Sequence, residues 1–361
     1  VRGVRPSRLL GCAALMLKGR LHTLVCESEV LRGNPLGDPH VRELPVYLPP
    51  GFSPPARLPA PPPRTAEERA ARLPLVLVLA GFTGTGGNLL RGTPWEPSFP
   101  ERYERLLEGG LAARCAFAFP DGFTRLGGSQ YMNSPATGRY EDHLLDELVP
   151  LVESACGVGG SRARRGLMGR SSGGYGALHL SLQHPDRFAA LASHSGDCAF
   201  DLCYRPDFGK LAAALDRAGG VAGFLREFEA APRKTSAQIV AMNVLAMASA
   251  YSPDPDEELG VALPFEPRTG RLREDVWQRW LAFDPVARVQ SYGEVLADFA
   301  LVYLDAGTRD EYHLQFGARQ LAEALAGKGV AVRHEEFEDG HMGTGYRYEA
   351  SLPLITRALA G

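Results

Sequence analysis

Along the chain, apolar residues gather in short unbroken runs, separated by longer stretches where they recur at helical spacing. Leu75–Ala80 reads Leu-Val-Leu-Val-Leu-Ala. A run without alternation suits a strand covered on both faces, as in a parallel sheet. Similar runs lie at Cys115–Phe119, Gly166–Gly169, Phe188–His194 and Phe299–Leu304, and a more polar one at Val330–Phe337. Two further β-like segments, Arg20–Leu31 and Val41–Leu48, flank a turn-rich stretch at 33–39, and the prolines of 49–63 predict an irregular surface loop. Amphipathic helices are expected at Glu101–Ala113, Tyr140–Cys156, Gly173–Gln183, Glu311–Ala326 and Glu349–Ala360. Strands and helices alternating in this way predict an α/β fold, a mainly parallel central sheet flanked by helices.

Residues 198–298 break the rhythm. They carry helical patterns around Lys210–Ala218, Ser236–Ala250 and Glu274–Phe283, far more chain than a crossover between two parallel strands requires. The expected organisation is a core at 18–197 and 299–361 with an inserted helical cap at 198–298, over the carboxyl edge of the sheet. Residues 1–17 are set aside as an N-terminal extension. Their apolar run, Leu9–Leu17, is too short for a transmembrane helix, and Leu9-Leu10-Gly11-Cys12 lacks the apolar stretch that a lipoprotein signal needs. Met16 is an alternative start residue.

Composition narrows the partners. Lys+Arg 39 against Asp+Glu 42 leaves a net charge of -3, which gives no electrostatic reason to expect nucleic acid or an anionic membrane. The six cysteines include no C-x-x-C pair and read as scattered reduced thiols, with Cys198 and Cys203 the two closest in sequence, so a cytoplasmic location is expected. No H-E-x-x-H occurs and the cysteines lack zinc spacing, so no metal and no cofactor is implied.

The candidate chemistry begins at Gly169-Arg170-Ser171-Ser172-Gly173, between a strand-like and a helix-like segment. A serine at such a turn sits in strained backbone geometry that exposes its hydroxyl. Small neighbours let strand and helix approach, and the helix start directs amides at developing negative charge. Ser171 is therefore the candidate nucleophile. The amide of Ser172 is one oxyanion donor, and the loop Ala80–Asn88 supplies the other, with Phe82 preferred and Thr83 second. A phosphate-binding loop would need lysine where Gly87 stands, and a dinucleotide fingerprint would need a third glycine where Leu89 stands.

The partners should follow in the order serine, acid, histidine. Asp310 lies in the loop beyond the strand Phe299–Leu304 and is the preferred acid; Asp305 is nearer the strand, and a helix N-cap is the competing role for Asp310. His341 lies in the glycine-flanked loop Glu338–Gly343 after the last strand, where the base belongs. His334 and His179 fall within strand and helix patterns. His194, in Ser193-His194-Ser195-Gly196-Asp197, is the main competitor. Arg170 and Trp280 are the candidate substrate contacts; Trp277, Trp280 and Phe283, at spacing three, either line an acyl pocket or pack the cap's own core.

At these residues the chain resembles the putative esterase family of α/β-hydrolases, which includes S-formylglutathione hydrolases, enterochelin-esterase-like proteins, feruloyl esterases and mycolyltransferases. The resemblance runs from about Val41 to the C-terminus. It is carried by Ala80–Asn88, Gln130–Pro135, Gly138–Asp142, Gly169–Ala177, His184–Asp186, Ser193–Asp197, Gly307–Asp310 and Gly340-His341. It implies an α/β-hydrolase fold, with Ser171, Asp310 and His341 as nucleophile, acid and base and with Phe82 and Ser172 around the oxyanion. Arg170 replaces the family's common histidine and Ser172 its usual methionine or leucine. The expected function is a serine carboxylic-ester hydrolase acting on short-chain or aryl acyl esters through an acyl-enzyme. The alternatives are an acyltransferase using the same triad and a catalytically silent binding protein. The expected partner is a small-molecule ester; a homo-oligomer is compatible with the sequence, and its stoichiometry is not specified.

Overall fold

The computed structural model describes residues 17–55 and 59–361; Cys12 and Met16 lie outside them. Eight strands form the central sheet: β1 (Arg20–Glu27), β2 (Val41–Leu48), β3 (Leu75–Leu79), β4 (Ala116–Ala118), β5 (Arg165–Arg170), β6 (Ala190–His194), β7 (Leu301–Gly307) and β8 (Val332–Phe337). Their spatial order is β1-β2-β4-β3-β5-β6-β7-β8. β2 runs antiparallel to β1 and β4, and every pair from β4 to β8 is parallel. The apolar runs mark the middle of the sheet: β3 and β6 are buried at every residue, whereas edge strand β8 has only half-buried and exposed residues.

Helices cover both faces. α1 (Phe99–Glu108) is started by a reciprocal cap between Ser98 and Glu101. It packs with α10 (Tyr348–Ala360) over one face. α2 (Val149–Cys156), α3 (Ser172–Gln183) and α9 (Leu314–Gly327) contribute Val152, Leu178, Leu180, Leu321 and Leu325 to the core on the other face. The amphipathic stretch expected to be one helix over Tyr140–Cys156 contains a π-helical segment at His143–Leu148, ahead of α2. There the His143 imidazole meets the Glu147 carboxylate at 2.7 Å.

The segment after β6 is helical: α4 (Phe208–Ala218), α5 (Val221–Ala230), α6 (Ser236–Tyr251), α7 (Glu274–Leu281) and α8 (Pro285–Tyr292). Thr235 and Gln238 cap α6 reciprocally, and every residue of α6 from Val244 to Tyr251 is buried. Its surroundings are Phe208, Leu211, Phe265, Trp277 and Trp280, in a core that also takes in Leu126, Met132, Tyr175 and Leu314 from outside the segment. α8 departs from this group. Val286 and Val289 belong to the core beneath the sheet, where α8 packs against α3 and α9. The helical cluster over the sheet thus closes near Phe283, ahead of residue 298. No helix among the described residues is long and apolar enough to cross a membrane.

Candidate active site

The site lies at the carboxyl ends of the parallel strands, the edge where α/β folds collect their ligands. β5 ends at Arg170 and α3 starts at Ser172, so the chain reverses on Ser171 alone. Ser171 has φ 57° and ψ -129°, a backbone that a non-glycine residue holds at a cost of about 1–3 kcal/mol. The turn closes because its flanks are glycines. A Cβ on Gly169 would lie 2.4 Å from the Gly173 carbonyl oxygen, and one on Gly173 would lie 2.1 Å from that of Leu79. The elbow is further fixed by the Ser171 amide, which donates to the His194 carbonyl at 2.9 Å.

Ser171 Oγ and His341 Nε2 are 3.0 Å apart, and His341 Nδ1 lies 2.8 Å from Asp310 Oδ2. Asp310 stands three residues beyond β7 and is buried; its Oδ1 accepts the Tyr312 amide at 2.9 Å. The loop bearing His341 is tied down twice. Its own amide donates to Glu311 Oε2 at 2.7 Å, and its carbonyl accepts from Arg170 Nη1 at 2.6 Å. Tyr312 packs edge-on to the imidazole with ring centroids 4.9 Å apart.

The competing acid and histidine are also paired, with each other. Arg170, His194 and Asp305 stand opposite one another on β5, β6 and β7. Neighbours in register on adjacent strands share a face of the sheet. His194 Nδ1 accordingly meets Asp305 Oδ1 at 2.9 Å, and His194 Nε2 meets Ser351 Oγ, on α10, at 2.8 Å. This second serine–histidine–aspartate chain is buried at all three residues. Burial pushes the Asp305 carboxyl up, but the charges and hydrogen bonds of His194 and Arg347 outweigh it and hold the group below the usual carboxylate range. His179 is likewise buried, between Glu141 and Arg288.

A cleft of about 240 Å³ opens over Ser171. It is lined by the Gly81–Gly84 loop, by Arg170, Ser172 and Asp197, by Tyr312, His341 and Met342, and by Ile239, Val240 and Asn243 of α6. A Cβ added to Gly81 would lie 3.3 Å from Ser171 Cβ, so the loop carrying Phe82 runs beside the elbow. Among the described residues no backbone carbonyl accepts the amides of Phe82 or Ser172. Tyr131 supports the loop from below by donating to the Ala80 carbonyl at 2.9 Å.

Arg170 is in the cleft, as its place beside Ser171 requires. Trp280 is not. It is fully buried within the helical cluster, in edge contact with Tyr204, Phe208 and Tyr251, and its indole N–H donates to Ser252 Oγ at 2.8 Å. The spacing of three placed it on the inner face of α7, and that face packs the cluster's own core. Sequence reasoning missed Glu311, Tyr312 and Tyr204. Glu311 and Tyr312 directly follow Asp310, and that adjacency was the available signal. Tyr204 had none.

The family model described as putative esterase matches residues 42–356. No curated protein matches the chain. Among solved structures, a ferulic acid esterase matches with a TM-score of 0.58 at 18% identity, over 95% of this chain and 99% of that one. A fluorophosphonate-binding serine hydrolase of Staphylococcus aureus matches with a TM-score of 0.55 at 13% identity, over 95% and 99%. An S-formylglutathione hydrolase from Agrobacterium tumefaciens matches with a TM-score of 0.54 at 14% identity, over 95% of each chain. At such identities the likeness is one of fold, and the match of the family model over most of the sequence carries the assignment: the chain belongs to the putative esterase family, carboxylesterase-type hydrolases on the α/β-hydrolase fold.

Proposed function

We propose that the protein is a serine hydrolase that cleaves carboxylic esters through an acyl-enzyme on Ser171. The observation that carries this reading is the unbroken chain Ser171 Oγ–His341 Nε2, 3.0 Å, and His341 Nδ1–Asp310 Oδ2, 2.8 Å, at the base of an open cleft. His341 takes the hydroxyl proton as Ser171 attacks the ester carbonyl, then returns it to the leaving alcohol. Asp310 holds the imidazole with Nδ1 protonated and stabilises its charged form. The negative charge on the carbonyl oxygen falls to the amides of Phe82 and Ser172 at the start of α3. Water, activated by the same histidine, releases the acid.

Phe82, Ile239, Val240 and Met342 give the cleft apolar walls, and its volume of about 240 Å³ fits a short-chain or compact aryl acyl group. The cysteines Cys26, Cys115, Cys156, Cys198 and Cys203 are free thiols, in keeping with a cytoplasmic enzyme. The test pairs active-site labelling by a fluorophosphonate probe with a hydrolysis panel of p-nitrophenyl esters, thioesters and feruloyl esters. Wild type is expected to label and to turn over at least one ester class, and Ser171→Ala to do neither. Labelling that persists in Ser171→Ala would refute the assignment of the nucleophile.

A further inference from the structure

Acyl transfer as described leaves one cleft carboxylate without a task. Asp197 follows β6 in a tight turn whose Ser195 has φ 42°. It lines the cleft together with Ser171, yet is only 7% exposed. One of its oxygens is saturated: Oδ2 accepts from Tyr204 Oη at 2.7 Å, Ser172 Oγ at 3.1 Å and Gln130 Nε2 at 3.2 Å. The Gln130 amide, on a backbone with φ 54°, shares its two N–H groups among Asp197 Oδ2, Tyr204 Oη at 3.1 Å and Tyr251 Oη at 2.8 Å. The other oxygen, Oδ1, receives no hydrogen bond from any described residue. Burial pushes the carboxyl up, while Tyr204, Gln130, His341 and Ser172 oppose the shift.

Three donors on a single oxygen make a directional device. A carboxylate needed only to tie Tyr204, Gln130 and Ser172 together would be replaceable by an amide, whose carbonyl oxygen accepts in the same geometry, though less strongly. What an amide lacks is a second acceptor, and that second acceptor is the atom left unused on a residue that lines the cleft. Its position follows from Ser172. The amide of this residue serves the oxyanion, and its hydroxyl touches Asp197, so the carboxylate stands one residue from the reacting carbonyl.

We infer that Asp197 Oδ1 accepts a hydrogen bond from a donor group, a hydroxyl or an ammonium, carried by the ester within a few bonds of its carbonyl carbon. The enzyme then selects hydroxy- or amino-substituted acyl esters over apolar ones of equal size. This inference rests on acyl transfer at Ser171 and adds the substrate class to it. Ile239 and Val240 add apolar surface to the same cleft, and beside the polar side chains of Thr83, Tyr204 and Asn243, Asp197 is its only carboxylate among the described residues.

The test compares kcat/KM for four methyl esters: 2-hydroxypropionate, 2-aminopropionate below the pKa of its ammonium, isobutyrate as the apolar isostere, and 2-methoxypropionate, which only accepts. Wild type is expected to prefer the hydroxy or the amino ester over isobutyrate by about 10- to 100-fold, the discrimination of one hydrogen bond to a charged group. The two donor arms tell hydroxyl from ammonium recognition. In Asp197→Asn the carbonyl oxygen must stay with the three donors, which turns the NH₂ group toward the cleft. The ammonium ester should then lose its advantage, and the ratio of 2-methoxypropionate to isobutyrate should rise. Wild type that labels with fluorophosphonate and hydrolyses isobutyrate without any donor preference overturns the inference and leaves Ser171 standing; loss of both labelling and hydrolysis overturns the underlying reading instead. A donor preference that survives in Asp197→Asn assigns the recognition to another group and also overturns it. Should that variant not fold, Asp197→Ser takes its place, and a donor preference that survives there overturns the inference as well.

Discussion

Replacing Ser351 by alanine separates the two serine–histidine–aspartate chains of this fold by experiment. Ser351 is fully buried on α10, and its hydroxyl is the partner of His194 Nε2 at 2.8 Å. Without it a ring nitrogen is left unsatisfied in a site where His194 is 2% exposed, a loss of about 1–3 kcal/mol. Unfolding entropy of about 2.1 cal/mol/K per residue over 361 residues converts each kcal/mol into about 1.3 °C, so the melting temperature should fall by about 1–4 °C. The effect on chemistry should be small, because His194 reaches Ser171 only through its backbone carbonyl, which accepts the Ser171 amide at 2.9 Å. Ser171→Ala should do the reverse: a melting temperature within about 1 °C of wild type, as for changes outside the core, and a drop in kcat of about 10⁴- to 10⁶-fold. Thermal unfolding, fluorophosphonate labelling and ester hydrolysis on the same three proteins make the measurement. Ser351→Ala that melts like wild type but fails to label would show that the buried chain takes part in the chemistry, and the assignment of roles would be wrong.

Trp280→Phe should cost about 1–2 kcal/mol in stability through the lost hydrogen bond to Ser252, and should leave the preference across acetate-to-octanoate p-nitrophenyl esters unchanged. A shifted chain-length profile would mean that the acyl group penetrates the helical cluster. Gly173→Ala should destabilise by at least about 3 kcal/mol, since its Cβ would meet the Leu79 carbonyl oxygen at 2.1 Å and that of Ala80 at 2.8 Å, both backbone atoms; a folded variant of wild-type melting temperature would contradict the close packing of the elbow. The protein should lose stability on the acid side. Burial holds His143 and His179 below their ordinary value of 6.5, so the unfolded chain takes up protons first as the pH falls through 6.5. Burial pushes Glu141 up, but the hydrogen bonds of His179 and His184 bring it down to about 2, so its contribution is complete above its ordinary 4.5 and is lost as the pH falls toward 2. Melting temperatures measured from pH 8 to pH 3 should decline below about 6.5, and a flat profile would refute both contributions.

Much of the fold was legible because a parallel sheet buried on both faces leaves runs with no polar interruption. The runs at Leu75–Ala80 and Phe188–His194 lie over β3 and β6, and the helix expected at Gly173–Gln183 over α3. Ends were less legible. α1 starts two residues before the expected Glu101 because Ser98 and Glu101 cap each other, and it stops at Glu108, short of the expected Ala113. α9 begins at Leu314, not at Glu311, because Glu311 and Tyr312 are drawn into the loops around Asp310 and His341. The π-helical segment at His143–Leu148 was not legible, since its buried leucines Leu144, Leu145 and Leu148 also fit ordinary helical spacing.

The site shows where local pattern stops carrying information. Ser171, Asp310 and His341 could be singled out by chain order and by their loops, and the structure brings them within hydrogen-bond distance. His194 and Asp305 bear the same residue types at comparable strand ends, and a one-dimensional reading can only weigh them as rivals for the two roles. What separates them is register. Arg170, His194 and Asp305 form one row across β5, β6 and β7, so the rivals are committed to each other inside the sheet, while Asp310 stands three residues past the end of β7 and is free to meet a loop histidine. The row has one more member, and it lines the cleft. Arg170 ends β5 beside Ser171, and its guanidinium reaches the carbonyl of His341 at 2.6 Å. The residue that departs from the family pattern before Ser171 therefore ties the strand leading to Ser171 to the loop carrying His341. A neutral side chain of similar reach, lacking the charge that strengthens this bond, would hold the loop less firmly, and the distance between Ser171 and His341 is the quantity that would change first.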